Sequence, residues 1–241
     1  MCYNIYMSGH SKWSTIKRAK GANDAKRGVI FTKIGNQIAI AARAGADPSM
    51  NPTLALAIEK AKAANMPNTN IERAIARVTD KSAAQLEEVI YEAYGQGGTA
   101  IIIETATDNR NRTFPDVRST LSKNGGNIAE PGSVMFNFDR KGVIHVASSG
   151  EEALLSVLDA GAEDVNEEDG EIVVYTEDKK LNEVRQNILN SGLLVQDFGL
   201  EYVAKNKVPI TDDGTQEKLL KLLNALDELD DVVAVHTNAD F

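Results

Sequence analysis

Apolar residues recur at intervals of three and four in the first third of the chain, the period of a helix with one buried side. In residues 24–45 this spacing places Phe31, Ile34 and Ile38 on a single stripe. Two prolines in residues 47–52 then interrupt the pattern, and alanine-rich helical sequence follows. The sequence therefore predicts a small helical domain with helices at residues 24–45, 53–65 and 69–78.

After the helical part the period of the pattern changes to two, and β-branched and aromatic residues favour strands. Residues 87–95 and 99–107 flank a glycine-rich turn and predict a β-hairpin. A helix is predicted over residues 113–126, because Thr113 and Asp116 stand at capping distance and two glycines end it.

Strands and helices then alternate to the end of the chain, which is typical of an α+β fold built from ferredoxin-like units. The predicted strands are 134–139, 142–147, 171–176 and 193–203, and the predicted helices are 150–165 and 178–192. A last helix and strand at 215–237 would complete the unit begun by the hairpin, so the third domain is predicted as an insertion in the second. The predicted domains are 1–78, 79–131 together with 206–241, and 132–205.

Charge is divided unequally along the chain. The net charge is −9, yet residues 1–77 hold 12 Lys and Arg against 4 Asp and Glu, whereas residues 78–241 hold 14 against 31. Such a division indicates that the first part contacts a polyanion and the second does not. The alternative is that it reflects only the solubility of two domains.

Residues 10–43, called the basic segment below, carry side chains suited to nucleic acid. Lys and Arg neutralise phosphates without sequence preference, and Trp13 offers a flat face for an unpaired base. The candidate nucleic-acid-binding residues are His10, Lys12, Trp13, Lys17, Arg18, Lys20, Lys26, Arg27, Lys33 and Arg43. A solvated terminus with no partner is the alternative. The long turn at residues 45–52 argues against a helix-turn-helix, and RNA suits this segment at least as well as DNA.

A second candidate site is the loop at residues 107–113, where Asn109, Arg110 and Arg112 could touch phosphate. The competing interpretation, slightly favoured, is that the Asp and Asn residues shape the turn while the arginines pair with nearby acids.

Catalysis is not predicted, and neither a cofactor nor a metal is expected. Cys2 is the single cysteine, and the three histidines stand far apart, with His145 and His236 predicted at solvent-facing strand positions. The acidic residues 162–171 lack the spacing of a calcium loop and predict a solvated turn. No apolar run approaches the ~18 residues of a membrane span, and a cytoplasmic protein is expected.

Several motifs resemble the YebC family over most of the chain. They are GHSKW (9–13), DAKRGVIFTK (24–33), AKAANMPNTNIERAI (61–75), YEAYGQGG (91–98), TDNRNRT (107–113) and FDRKGVI (138–144). Residues 35–39 depart from the pattern, since the family commonly has an Arg-Glu pair there. The resemblance implies a helical domain followed by two α+β domains, the third inserted in the second.

For activity the resemblance implies regulation of gene expression in one of two forms. Bacterial members are described as probable transcriptional regulators. A mitochondrial relative activates translation of a cytochrome oxidase subunit, and other members look like ribosome-associated factors that help peptide-bond formation at proline runs.

Three hypotheses follow. The favoured one is a ribosome-associated translation factor that binds ribosomal RNA or tRNA. The second is a regulator that binds promoter DNA, and the third is a protein-interaction scaffold. A monomer that does not bind membranes is expected.

Overall fold

The computed structural model describes residues 24–78, 80, 84–168 and 170–241, with the side chains of residues 24–27 and 168 left out of the description. The α+β class is confirmed, since helices come first and two sheets follow. No helix in these ranges is long and apolar enough to cross a bilayer.

Among the described residues, the first part of the chain contains three helices, as predicted. They are α1 (Asp24–Ala42), α2 (Pro52–Ala63) and α3 (Asn68–Ala76). Ile34, Ile38 and Leu54 lie in their shared core, which confirms the helical stripe. The α1–α2 connection is fixed by Asn51, whose side chain accepts from the Leu54 amide at 3.1 Å and donates to the Ala41 carbonyl at 2.7 Å. One side chain therefore both caps α2 and ties it to α1.

The next elements begin the first sheet. They are β1 (Glu87–Tyr94), β2 (Ala100–Thr107), α4 (Arg110–Lys123) and β3 (Asn127–Ile128). β1 and β2 form the predicted antiparallel hairpin, and β3 pairs with β1 on the other side. The turn needs glycine because Gly97 and Gly98 have φ values of 70° and 75°.

The second sheet follows without a return to the first. Its elements are β4 (Phe138–Val146), α5 (Glu151–Asp159), β5 (Asp164–Glu168), β6 (Glu171–Glu177), α6 (Leu181–Asn190) and β7 (Val195–Ala204). The strand order is β5-β6-β4-β7, with every neighbouring pair antiparallel. Both helices pack on this sheet through a core that includes Ile144, Val157 and Ile188. This is the ferredoxin-like arrangement.

The chain then returns to the first sheet. The last elements are β8 (Val208–Pro209), α7 (Asp213–Asp227), β9 (Val232–Thr237) and β10 (Ala239–Asp240). β9 pairs with β2, so the first sheet has the order β3-β1-β2-β9, and α7 fills its core with Leu219, Leu222 and Leu226. The boundaries proposed at residues 131 and 206 stay a prediction.

Four predicted elements were placed wrongly. α4 begins at Arg110, because Asn109 caps it by accepting from the Asn111 amide at 3.0 Å, and Thr113 is buried instead of capping. The two strands predicted at 134–139 and 142–147 are a short 3₁₀ turn and the continuous strand β4. The acidic stretch predicted as a turn contains β5, which pairs with β6.

Gly142 is required where β4 passes beneath α6. A Cβ at this position would lie 2.8 Å from the Leu181 Cβ and would also clash with the Thr176 hydroxyl. We expect Gly142→Ala to lower the free energy of unfolding by about 1–3 kcal/mol through overpacking. Gly35→Ala is the matched control. A Cβ there has no neighbour within 4 Å, so it should stabilise α1 by about 0.5–1 kcal/mol. Equal effects of the two substitutions in a denaturant titration would contradict this account.

Candidate nucleic-acid interface

Most of the predicted binding residues fall outside the described part of the chain. His10, Lys12, Trp13, Lys17, Arg18 and Lys20 precede α1 and lie outside the described residues. Lys26 and Arg27 lie in the first turns of α1, and their side chains are likewise outside the description. Their assignment to a nucleic-acid interface stays a prediction.

Lys33 contacts the protein itself. Its ammonium group donates to the Asp227 carboxylate at 2.9 Å and to the Asp227 carbonyl, and only 11% of the side chain is exposed. In this conformation Lys33 joins α1 to the end of α7 and does not face an external phosphate. Lys33 was predicted to bind nucleic acid, but helical periodicity cannot show which element covers a given side of the helix.

Arg43 is exposed to solvent and also forms a hydrogen bond within the protein. It is exposed just after α1, and its guanidinium donates to the Leu86 carbonyl at 2.8 Å, which ties the helical part to the entry of β1. Lys62 and Arg73 are also exposed on α2 and α3, although the sequence analysis did not single them out. Both are basic residues of the helices predicted at 53–65 and 69–78, and this could have identified them as candidates for binding phosphate.

The loop at residues 107–113 behaves as its structural interpretation predicted. Arg110 makes two hydrogen bonds to Glu87, the longer at 2.8 Å, and Arg112 donates to Asp231 at 2.9 Å and to Asp108 at 3.1 Å. The hydrogen bond from Arg110 lowers the pKa of Glu87 below its ordinary value. These arginines therefore already hold carboxylate partners.

We expect Arg110→Gln to leave the affinity for RNA unchanged, because Glu87 already engages this guanidinium in a paired geometry. Fluorescence anisotropy with a labelled RNA fragment at fixed salt is the measurement. A loss comparable with that caused by changes in the basic segment would place the nucleic acid on the first sheet domain.

Both strand histidines are buried, so their predicted solvent-facing positions are wrong. His145 is 2% exposed and His236 is 8% exposed. His236 shares a hydrogen bond with Glu104 at 2.6 Å, and the Tyr202 ring meets its imidazole edge-on at 5.6 Å between centroids. This contact joins β7 to β9 and therefore holds the two sheets together.

A cavity of about 690 Å³ lies where the helices meet both sheets. Apolar side chains from the helices and the sheets line it, such as Ile30, Leu56 and Leu200, together with charged side chains such as Lys33, Glu104 and Asp227. No group of three or more potential metal ligands occurs within the described ranges.

Two family models match the chain. Residues 11–81 match the family model described as the TACO1/YebC protein N-terminal domain, and residues 86–239 match the model described as the TACO1/YebC second and third domain. The chain belongs to the TACO1/YebC family. The N-terminal match contains nine of the ten predicted binding residues, all except His10.

Relatives of this TACO1/YebC protein align over nearly their whole length. A protein from Chloroflexus aggregans is 49% identical, with 97% of this chain and 96% of the relative covered. Another from Desulfotalea psychrophila is 48% identical, with the same coverage. Both are named "probable transcriptional regulatory protein".

A solved structure shows the same fold. The crystal structure of a conserved hypothetical protein from Aquifex aeolicus is 43% identical and superimposes with a TM-score of 0.85. The match covers 90% of this chain and 91% of that one.

Proposed function

We propose that this TACO1/YebC protein is a nucleic-acid-binding regulator of gene expression, and that it acts as an RNA-binding translation factor associated with the ribosome. The observation that carries the proposal is the coincidence of the charge division with the change of structure. The part with 12 Lys and Arg against 4 Asp and Glu contains α1, α2 and α3, and the part with 14 against 31 contains both sheets.

The unequal distribution of charge would orient the protein on a polyanion. Phosphates attract the basic part and repel the acidic sheets, so the sheets face protein or solvent while the helices and the preceding segment face nucleic acid. Helping peptide-bond formation at proline runs is the finer activity that we carry over from the family resemblance. The proposal assigns binding to the protein and no bond chemistry.

RNA is favoured over DNA by the kinds of side chain in the basic segment. Closely spaced cations beside Trp13 suit phosphates and an unstacked base, a combination that single-stranded RNA loops present. This mode of binding needs no helix in a major groove.

Cosedimentation with ribosomes tests the proposal. We expect the full chain to sediment with ribosomes at low salt and to be released at high salt, since salt cations then replace the protein's cations at the phosphates. Its absence from the ribosomal fraction at every salt concentration would contradict the proposal.

DNA binding is the second candidate, and one feature of the helical part favours it. α2 and α3 are joined by the four residues 64–67, and α1 packs against both helices. α3 exposes Asn68, Thr69 and Arg73 near its start, as the second helix of a helix-turn-helix does. This candidate predicts much tighter binding to a promoter fragment than to unrelated DNA at fixed salt, and equal affinities would remove it.

A further inference from the structure

Ion pairs join the helical part, residues 24–78, to both sheet domains. Lys33 pairs with Asp227 at the end of α7, and Lys60 lies 3.9 Å from Asp197 on β7. Glu59 on α2 accepts a hydrogen bond from Arg185 on α6. Two of these three contacts occupy a lysine of the basic part with a carboxylate of the acidic part.

The pair of Lys33 and Asp227 is the best shielded contact between lysine and carboxylate. The two side chains are 11% and 24% exposed, and the ammonium group also donates to the Asp227 carbonyl. Solvent and salt screen such a pair less than one on the open surface. A competing anion or the loss of the carboxylate would weaken it.

The helical part shares little core with the sheets, although α1 approaches β2 and β9 and α2 approaches β7. Among the described residues, the core of α1, α2 and α3 contains none from the sheets. Within the described ranges, Leu56 is the one side chain of the helical part that packs against a core cluster of the sheets. The cavity of about 690 Å³ lies at this junction. Because each domain has its own core, the helical part can move relative to the sheets while those cores stay packed, and the side chains that become exposed are those of the junction, such as His145.

We propose that this structure is a closed, self-inhibited conformation, in which Asp227 and Asp197 occupy Lys33 and Lys60 until the phosphates of a nucleic acid displace them. The inference rests on the proposed function. In the open conformation the helical part separates from α7 and β7, and both lysines join the binding surface. Phosphate and the two carboxylates compete for the same cations.

This competition sets the affinity for nucleic acid. If only the open conformation uses the full set of cations, the apparent dissociation constant is the intrinsic one divided by the open fraction. Removing the carboxylate of Asp227 increases that fraction and tightens binding. A lost charge-assisted hydrogen bond of this kind corresponds to a shift of about tenfold.

The experiment measures both opening and affinity in the full chain. Fluorescent labels are placed at Met50→Cys, which is 83% exposed in the native chain, and at Lys218→Cys on α7, with Cys2→Ser to remove the native thiol. Asp227→Asn is compared with Asp230→Asn, an exposed aspartate three residues away that gives the same change of charge. RNA affinity is measured by anisotropy, and energy transfer is measured with and without saturating RNA.

We expect Asp227→Asn to bind RNA about tenfold more tightly than Asp230→Asn, with lower energy transfer in the absence of RNA. Lys33→Gln breaks the same pair from the other side and should also lower the energy transfer. In the wild-type sequence, saturating RNA should lower the transfer. The inference is overturned if Asp227→Asn and Asp230→Asn have the same energy transfer and the same affinity.

The two proposals fail in different ways. If no variant binds RNA but Asp227→Asn still lowers the energy transfer, the closed conformation stands and the proposed function fails. If RNA binds while the energy transfer stays the same in every variant and complex, the function stands and the closed conformation fails.

Discussion

Lys12→Glu combined with Lys17→Glu is expected to weaken RNA binding about a hundredfold at fixed salt, because two phosphate contacts become two repulsions. Both lysines lie within the segment matched by the TACO1/YebC N-terminal domain. Anisotropy titration with a ribosomal RNA fragment measures the loss, and circular dichroism checks that the fold is kept.

A matched control separates local contacts from total charge. Lys218→Glu combined with Lys221→Glu makes the same change of charge on the exposed side of α7. If phosphates contact the basic segment, this control should bind almost as well as the wild type. Equal losses from both double substitutions would mean that net charge, and not the N-terminal part, determines the affinity.

Glu92→Gln is expected to lower the free energy of unfolding by about 2–3 kcal/mol. Glu92 is 7% exposed, and its carboxylate accepts hydrogen bonds from the backbone N–H groups of Gly132, of Val134 at 2.7 Å and of Met135 at 2.8 Å. These residues lie where the chain leaves the first sheet for β4. An amide in place of the carboxylate turns a donor toward at least one of these N–H groups, which then stays buried without an acceptor.

The effect of Glu92 depends on pH in a defined direction. Burial alone would raise the pKa of Glu92, but the three backbone N–H groups outweigh it and hold the pKa below the ordinary value of 4.5. Stabilisation by this carboxylate is therefore complete above that value and is lost as the pH falls through the lowered native pKa.

Denaturant titrations of the wild type and Glu92→Gln at pH 7 and pH 3 test both statements. The difference in stability should shrink at the lower pH. Glu88→Gln, an exposed change on the same strand, serves as the control and should have little effect at either pH. A difference between the wild type and Glu92→Gln that stays constant with pH would contradict the role assigned to the carboxylate.

Local patterns predicted the elements of the fold well where one side of an element is buried. The spacing of Ile34 and Ile38 located α1, and the glycine-rich turn located the hairpin of β1 and β2. Helix ends were harder to predict, because Asn109 and Thr113 are both chemically able to cap and only the packing of Thr113 decides between them.

The strand histidines show a different limit. Alternation along β4 shows that successive side chains face opposite sides of the sheet, but it does not show that both sides are covered. His145 faces the junction with the helical part, where the other domains remove it from solvent. Packing between residues far apart in the chain cannot be predicted from the local sequence pattern.

The same limit applies to the candidate interface. The sequence predicted a basic part, and it correctly favoured carboxylate partners for Arg110 and Arg112. It could not predict that Lys33 contacts Asp227, because these residues are 194 positions apart and meet only through the docking of α1 on α7.

Crosslinking in cells, followed by mass spectrometry of the peptides attached to RNA, tests the central claim most directly. The account predicts crosslinked peptides before residue 78, joined to ribosomal RNA or tRNA. Crosslinks confined to the sheets after residue 86, or the absence of attached RNA, would contradict it.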